Sequence, residues 1–185
     1  MIDDAIVFLR NRLNRSLRGI SEVGPGGDKV EFISGDQMDP ISFKSEAVSA
    51  LLINVEEDKT LRAPDLYAGV DANGVRQKVR PEIRLNLLLL FVAHFKEYAD
   101  SLAYISAVIR YFQNDCVFNR QNAPELSNRI DKLLVELVTL PFSEQSLIWS
   151  SLRTTYRPSV LYRVKTIVFK GAPGAVRAIN HAMTP

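Results

Sequence analysis

The chain has 185 residues, enough for one domain or one domain with a tail, and 46% of them are hydrophobic against 24% charged. Lys and Arg number 23 and Asp and Glu 21, a formal charge of +2 that argues against a binder working by neutralising nucleic-acid phosphates. A single cysteine excludes an internal disulfide, two histidines leave little for a metal centre, and a chain of this size buries roughly 70% of its unfolded surface without such staples.

In chain order, a helix is predicted over residues 2–17. Ile2, Ile6, Leu9, Leu13 and Leu17 share one face, with Asp3 and Asp4 in the first turn and Arg15 and Arg18 near the end, as the helix dipole favours. The acidic start and a longest apolar run of seven residues, Leu87 to Ala93, predict a chain without secretory signal or membrane span, made in the reducing cytoplasm. Gly24-Pro25-Gly26-Gly27 reads as a link, residues 29–33 as a short strand and 34–40 as a turn. Residues 47–56 form a stronger strand, with Leu51, Ile53 and Val55 on one face and Val48, Ala50 and Leu52 on the other. A long polar connection over 57–79 follows, with a turn at 71–74; connections of this length carry function when ordered.

Residues 82–94 read as the central strand. Ile83, Leu85, Leu87, Leu89 and Phe91 alternate onto one face, while the other passes from Glu82, Arg84 and Asn86 to Leu88, Leu90 and Val92. Tyr98, Leu102, Ile105, Ile109 and Phe112 then mark a helix, and 115–124 a loop. A strand at 133–139 ends before Pro141, Ser143 is placed to cap a short helix through Trp149 and Leu152, and 160–169 is the last strand, with Val160, Tyr162, Val164, Thr166 and Val168 on one face. The order α-β-β-β-α-β-α-β predicts an α/β (α+β) fold: one sandwich domain over 1–170, with a mixed or mainly antiparallel sheet and flanking helices, then a weakly structured tail over 171–185.

Searches for chemistry end without a catalytic, cofactor or metal residue. No G-x-x-x-x-G-K-[ST] string exists, and the glycine-rich run at 24–27 follows a helix rather than a strand. His94 and His181 have no partner at ligand spacing, and Cys116 has no nearby base in the sequence. Glu56, Glu57 and Asp58 form a solvated cluster, and Ser34-Gly35-Asp36 lacks the nucleophile-elbow pattern. The chain therefore reads as a non-enzyme. Arg80, Glu82 and Arg84 lead into the central strand, and Arg153 and Arg157 flank Tyr156, residue types that anchor interfaces.

Five strings, taken together and in order, carry a family resemblance: Asp39-Pro40-Ile41-Ser42-Phe43-Lys44, Leu61-Arg62-Ala63-Pro64-Asp65-Leu66-Tyr67, Pro81-Glu82-Ile83-Arg84-Leu85-Asn86-Leu87, residues 136–145 from Glu136 to Gln145, and residues 152–162 from Leu152 to Tyr162. With them the chain resembles, over residues 1–170, the tail-terminator (cap) proteins of extracellular contractile injection systems, the phage-tail-like particles of antifeeding-prophage and virulence-cassette type. The resemblance implies a tail-terminator-like fold and no cofactor. It implies a six-fold ring of copies that closes the distal end of the inner tube and sheath, stops polymerisation and anchors the last sheath layer. The partners implied are its own copies, tube protein and sheath protein, with no nucleic acid and no membrane insertion, in a particle assembled in the bacterial cytoplasm and able to be released. Arg62, Asp65 and Tyr67, on a segment stiffened by Pro64, are the first expected interface residues, and Arg84, Arg153 and Arg157 the second set. A baseplate or tube-adaptor subunit of the same particles is the nearest alternative. A small enzyme with a fold-assembled site at Cys116 or His94 is the distant one.

Overall fold

A computed structural model describes residues 2–18, 27–34, 41–58, 69–70, 76–77 and 83–169. The predicted link at 24–26, the turn at 35–40, most of the 57–79 connection including its turn at 71–74, and the tail over 171–185 lie outside the described residues. The helices are α1 (Ile2–Leu17), α2 (Tyr98–Asn114) and α3 (Phe142–Ser151). The strands are β1 (Val30–Phe32), β2 (Ala47–Glu57), β3 (Gly69–Val70), β4 (Arg76–Gln77), β5 (Ile83–His94), β6 (Val117–Asn119), β7 (Lys132–Val138) and β8 (Ser159–Phe169). The predicted order holds, with three short strands added: β3 and β4 pair within the long connection, and β6 occupies part of the predicted 115–124 loop.

One six-stranded sheet runs β1-β2-β5-β8-β7-β6, with β1 parallel to β2 and every other neighbour antiparallel. That is the mixed, mainly antiparallel sheet the sequence predicts, with β5 near its middle. Leu87, Leu89 and Phe91 of β5, with Val160, Tyr162 and Val164 of β8, point into the larger core under α1 and α2. Leu90 and Val92 of β5, with Leu161 of β8, point the other way, into a smaller core with Phe43 and Trp149 under α3. The double-sided apolar pattern of residues 87–93 is thus explained by helices on both faces.

Helix α1 buries Ala5, Phe8, Leu9, Leu13, Asn14 and Leu17, with Ile2 and Ile6 at the margin of the core. Buried Asn14 ties the helix to the edge strand. Its Oδ1 accepts from the Lys29 and Val30 amides at 2.9 and 2.7 Å, and its Nδ2 donates to the Val30 carbonyl at 3.0 Å. On the opposite side, Glu125 takes ion pairs from Arg12 at 2.9 Å and Arg15 at 2.8 Å, and Phe8 meets Phe118 edge-on at 5.2 Å. One helix therefore braces both edges of the sheet.

Three local expectations are corrected. In β2 the register to β5 slips between Leu52 and Asn54, so Ile53 is an extra residue; Leu52 faces Leu89 and Val55 faces Leu87. A bulge of one residue reverses the alternation, which moves Val55 from the face of Leu51 to that of Leu52. In α2, Tyr98 and Leu102 are exposed while Ser101, Tyr104, Ile105, Val108 and Phe112 are buried. The helix is turned by its entry: the Phe95 ring stacks on Tyr104 at 4.3 Å, and the Phe95 amide donates to the Ser101 hydroxyl at 3.2 Å. Finally, Ser143 lies inside α3 and caps nothing. Pro141 holds the N-cap position, with no side-chain capping bond, because the helix begins two residues earlier than a serine cap would place it.

Candidate interface surfaces

The residues singled out by sequence fall into two places. Arg153 and Arg157 are brought together on the 152–158 connection between α3 and β8, around Tyr156. The Tyr156 ring, 61% exposed, leans edge-on against Trp149 at 5.4 Å, and Trp149 in turn meets Phe43 at 6.0 Å. This aromatic chain carries the exposed tyrosine on the buried core of the α3 face. Arg157 is half-buried, and its Nε is enclosed without a hydrogen-bond partner among the described residues.

Arg153 sits just past the helix end at φ 52°, in the left-handed region. Its amide donates to the Ser150 carbonyl at 3.2 Å, as a helix-terminating residue does, but this position normally goes to glycine because a Cβ costs roughly 1 kcal/mol there. A strained arginine at an exposed corner is the one local rule this region breaks.

Arg84 lies elsewhere. It is the second residue of β5, half-buried, and its carbonyl accepts from the Asp58 amide at 2.9 Å. Ser159, two residues after Arg157, pairs with Val92 near the other end of β5, which separates Arg84 from the Tyr156 corner by roughly 26 Å of strand. Arg62, Asp65 and Tyr67 lie outside the described residues, on the connection that leaves at Asp58 and returns at Ile83, the end where Arg84 stands.

Helix α3 rests lightly on its face. It buries only Trp149, and leaves Phe142 and Leu147 84% and 70% exposed. A cavity of about 200 Å³ lies on its β7/β8 side, against Val138, Leu140 and Leu161. An open groove of about 420 Å³ lies on its β2 side, against Ile41, Ile53 and Leu88. Sequence reasoning missed Phe142 and Leu147 because an exposed apolar residue in a short helix has the same spelling as a buried one.

The residues considered for chemistry lie apart. The His94 Nδ1 lies 2.9 Å from the Phe43 carbonyl, so that nitrogen carries the proton and ties β5 to the segment before β2. The Cys116 carbonyl accepts from the Val135 amide at 2.8 Å, three strands away from β5 and roughly 27 Å from His94. Among the described residues, no three His, Cys, Asp or Glu side chains are grouped to hold a metal, and no helix is long and apolar enough to cross a membrane. Burial pushes the Tyr111 and Tyr162 hydroxyls up to about 12, and a hydrogen bond from its own amide, followed by Arg15 and Arg12, holds the Glu125 carboxyl low.

Helices on both faces of a mixed, mainly antiparallel sheet define an α+β fold. The Pvc16 N-terminal domain family matches residues 5–178, and the chain belongs to that family. Comparison with curated proteins found no match. Among solved structures the chain is similar to the PVC sheath/tube terminator of an extracellular contractile injection system, seen by cryo-EM in the extended state, with a TM-score of 0.57 and 20% identity. The match covers 93% of this chain and 57% of that one, so the chain spans little more than half the length of that terminator. At such identity the likeness shows a shared fold, the terminator-like fold that the sequence strings implied.

Proposed function

We propose that this chain is a structural subunit of a contractile injection particle, acting as the terminator that closes the distal end of inner tube and sheath. The observation that carries the reading is the pairing of family membership over residues 5–178 with a terminator-like fold over 93% of the chain. The cap works by geometry. Six copies form a ring through two different surfaces on each subunit, which closes by rotation instead of running on as a fibre. One side of the ring matches the tube end, the other offers no copy of that end, and the rim holds the last sheath layer. Assembly takes place in the cytoplasm, before the particle leaves the cell.

Two surfaces are assigned. The Tyr156 corner, with Arg153 and Arg157, offers a flat aromatic ring and two cations, the combination that anchors interfaces. The opposite end of the sheet, with Arg84 and the connection carrying Arg62, Asp65 and Tyr67, is the second. No reaction is assigned, since His94 is tied to a backbone carbonyl and Cys116 lies far from it.

Deleting the gene in cells that make the particle tests the role. Tubes and sheaths of uncontrolled length, or sheaths detached from their tubes, are expected in electron micrographs. Particles of normal length with closed ends contradict it, and particles lacking a baseplate point instead to an adaptor.

A further inference from the structure

Helix α2 covers one face of the sheet and α3 the other, and their outward sides are alike. Of the exposed positions on α2 only Asp100 and Arg110 are charged, while Tyr98, Ala99, Leu102, Ala103 and Ser106 are not. On α3 only Glu144 is charged, while Phe142, Ser143, Ser146, Leu147 and Ser150 are not. Two large side chains therefore stand among small ones on each helix, whereas solvated helix faces are normally charged. Two hydroxyls on these helices are already satisfied, Ser106 donating to the Leu102 carbonyl and Ser151 to that of Ile148, both at 2.7 Å. Covering either face strands neither of those donors.

Opposite charges stand near the two ends of each helix. Asp100 and Arg110 stand ten residues apart on α2, or about 15 Å of helix. Glu144 stands in the first turn of α3 and Arg153 nine residues on, just past its end, or about 13.5 Å. Asp100, Arg110 and Glu144 have no ion-pair partner among the described residues. If the two helices are laid antiparallel, Asp100 meets Arg153 and Arg110 meets Glu144. In that register Leu147 falls level with Ser106, and Leu102 with Ser151, so that each leucine meets a small side chain.

We infer that α2 of one copy packs antiparallel on α3 of the next, with Arg110–Glu144 as an ion pair between copies. The inference rests on the reading that copies of this chain form a ring, and names the contact. Because the two helices lie on opposite faces of one sheet, the contact is head-to-tail, as a ring requires. Side chains this small allow interaxial distances near the lower end of the roughly 8–10 Å range of packed helices.

A cross-linking experiment tests it on the full chain. In a Cys116→Ser background, Ala103→Cys and Ser150→Cys are placed in the same chain, and both particles and purified protein are oxidised. A ladder of covalent multimers is expected on a non-reducing gel, and only monomer from either single-cysteine chain. Monomer from the double-cysteine chain overturns the contact, and so does dimer from Ala103→Cys alone, which means a self-paired α2. A ladder from a chain that never occurs at particle ends keeps the contact and overturns the terminator role. As a second measure, Glu144→Arg is expected to lower the multimer share roughly tenfold, and Arg110→Glu in the same chain to restore it. Both are exposed positions, so failure to fold is not a competing outcome; no change with Glu144→Arg contradicts the register.

Discussion

On one face of the sheet, α1 and α2 bury six and five residues and close over Leu87, Leu89 and Phe91; on the other, α3 buries Trp149 alone between a cavity of about 200 Å³ and a groove of about 420 Å³. The first face has buried polar groups with their partners, such as Asn14. The second has Arg153 in a strained backbone and large apolar side chains in solvent. One face holds the fold together, and the other leaves large apolar side chains in solvent. α2 has its inner side in the core and, on its outer side, Tyr98 and Leu102 in solvent.

The largest test of this contrast compares core substitutions. Leu13→Ala, at a fully buried position under α1, is expected to cost about 3–5 kcal/mol in urea unfolding. Trp149→Ala removes a larger side chain yet is expected to cost no more than about 3 kcal/mol, because the space beside α3 lets that helix resettle. A higher cost at Trp149 than at Leu13 breaks the contrast. Asn14→Leu is expected to follow at about 2–3 kcal/mol, since it leaves the Lys29 and Val30 amides without their acceptor.

Arg153→Gly sharpens the contrast in the opposite sense. Relief of the left-handed φ is expected to raise stability by about 1 kcal/mol, while particles made with the variant lose closed ends. Unchanged stability means that the strain is absent, and unchanged capping means that the cation is dispensable. The smallest effect is a pH dependence of the buried face. Tyr111 and Tyr162 have folded pKa values raised to about 12 from 10, so their contribution is fully present below pH 10 and is lost as pH rises toward 12. Tyr162→Phe is expected to flatten that decline in alkaline unfolding curves; an unaltered slope contradicts the assignment.

Much of this was legible in the residues. The α1 stripe, the double-sided β5 and the β8 alternation are periodic signals carried by many residues, and each element formed where its period placed it. The misses share a cause. One extra residue at Ile53 inverts a face without altering the composition of the strand, and the turn of α2 is set by Phe95, which lies outside the helix. Strand β6 has three residues, too few for any period, and is held by pairing with β7. Asn14 reads as a polar break in an apolar stripe until β1 is placed beside it. Among site residues, Arg153, Tyr156 and Arg157 were visible as a string, and the fold gathers them at one corner. Phe142 and Leu147 were not, since whether an apolar side chain faces core or partner depends on contacts that a single chain does not spell out.

The central claim, a cap at the distal end, is tested most directly by cryo-EM of particles carrying this chain with a bulky tag. The account predicts tag density on a single ring at the end opposite the spike, in contact with the last layers of tube and sheath. Density at the baseplate end, or along the length of the tube, contradicts it.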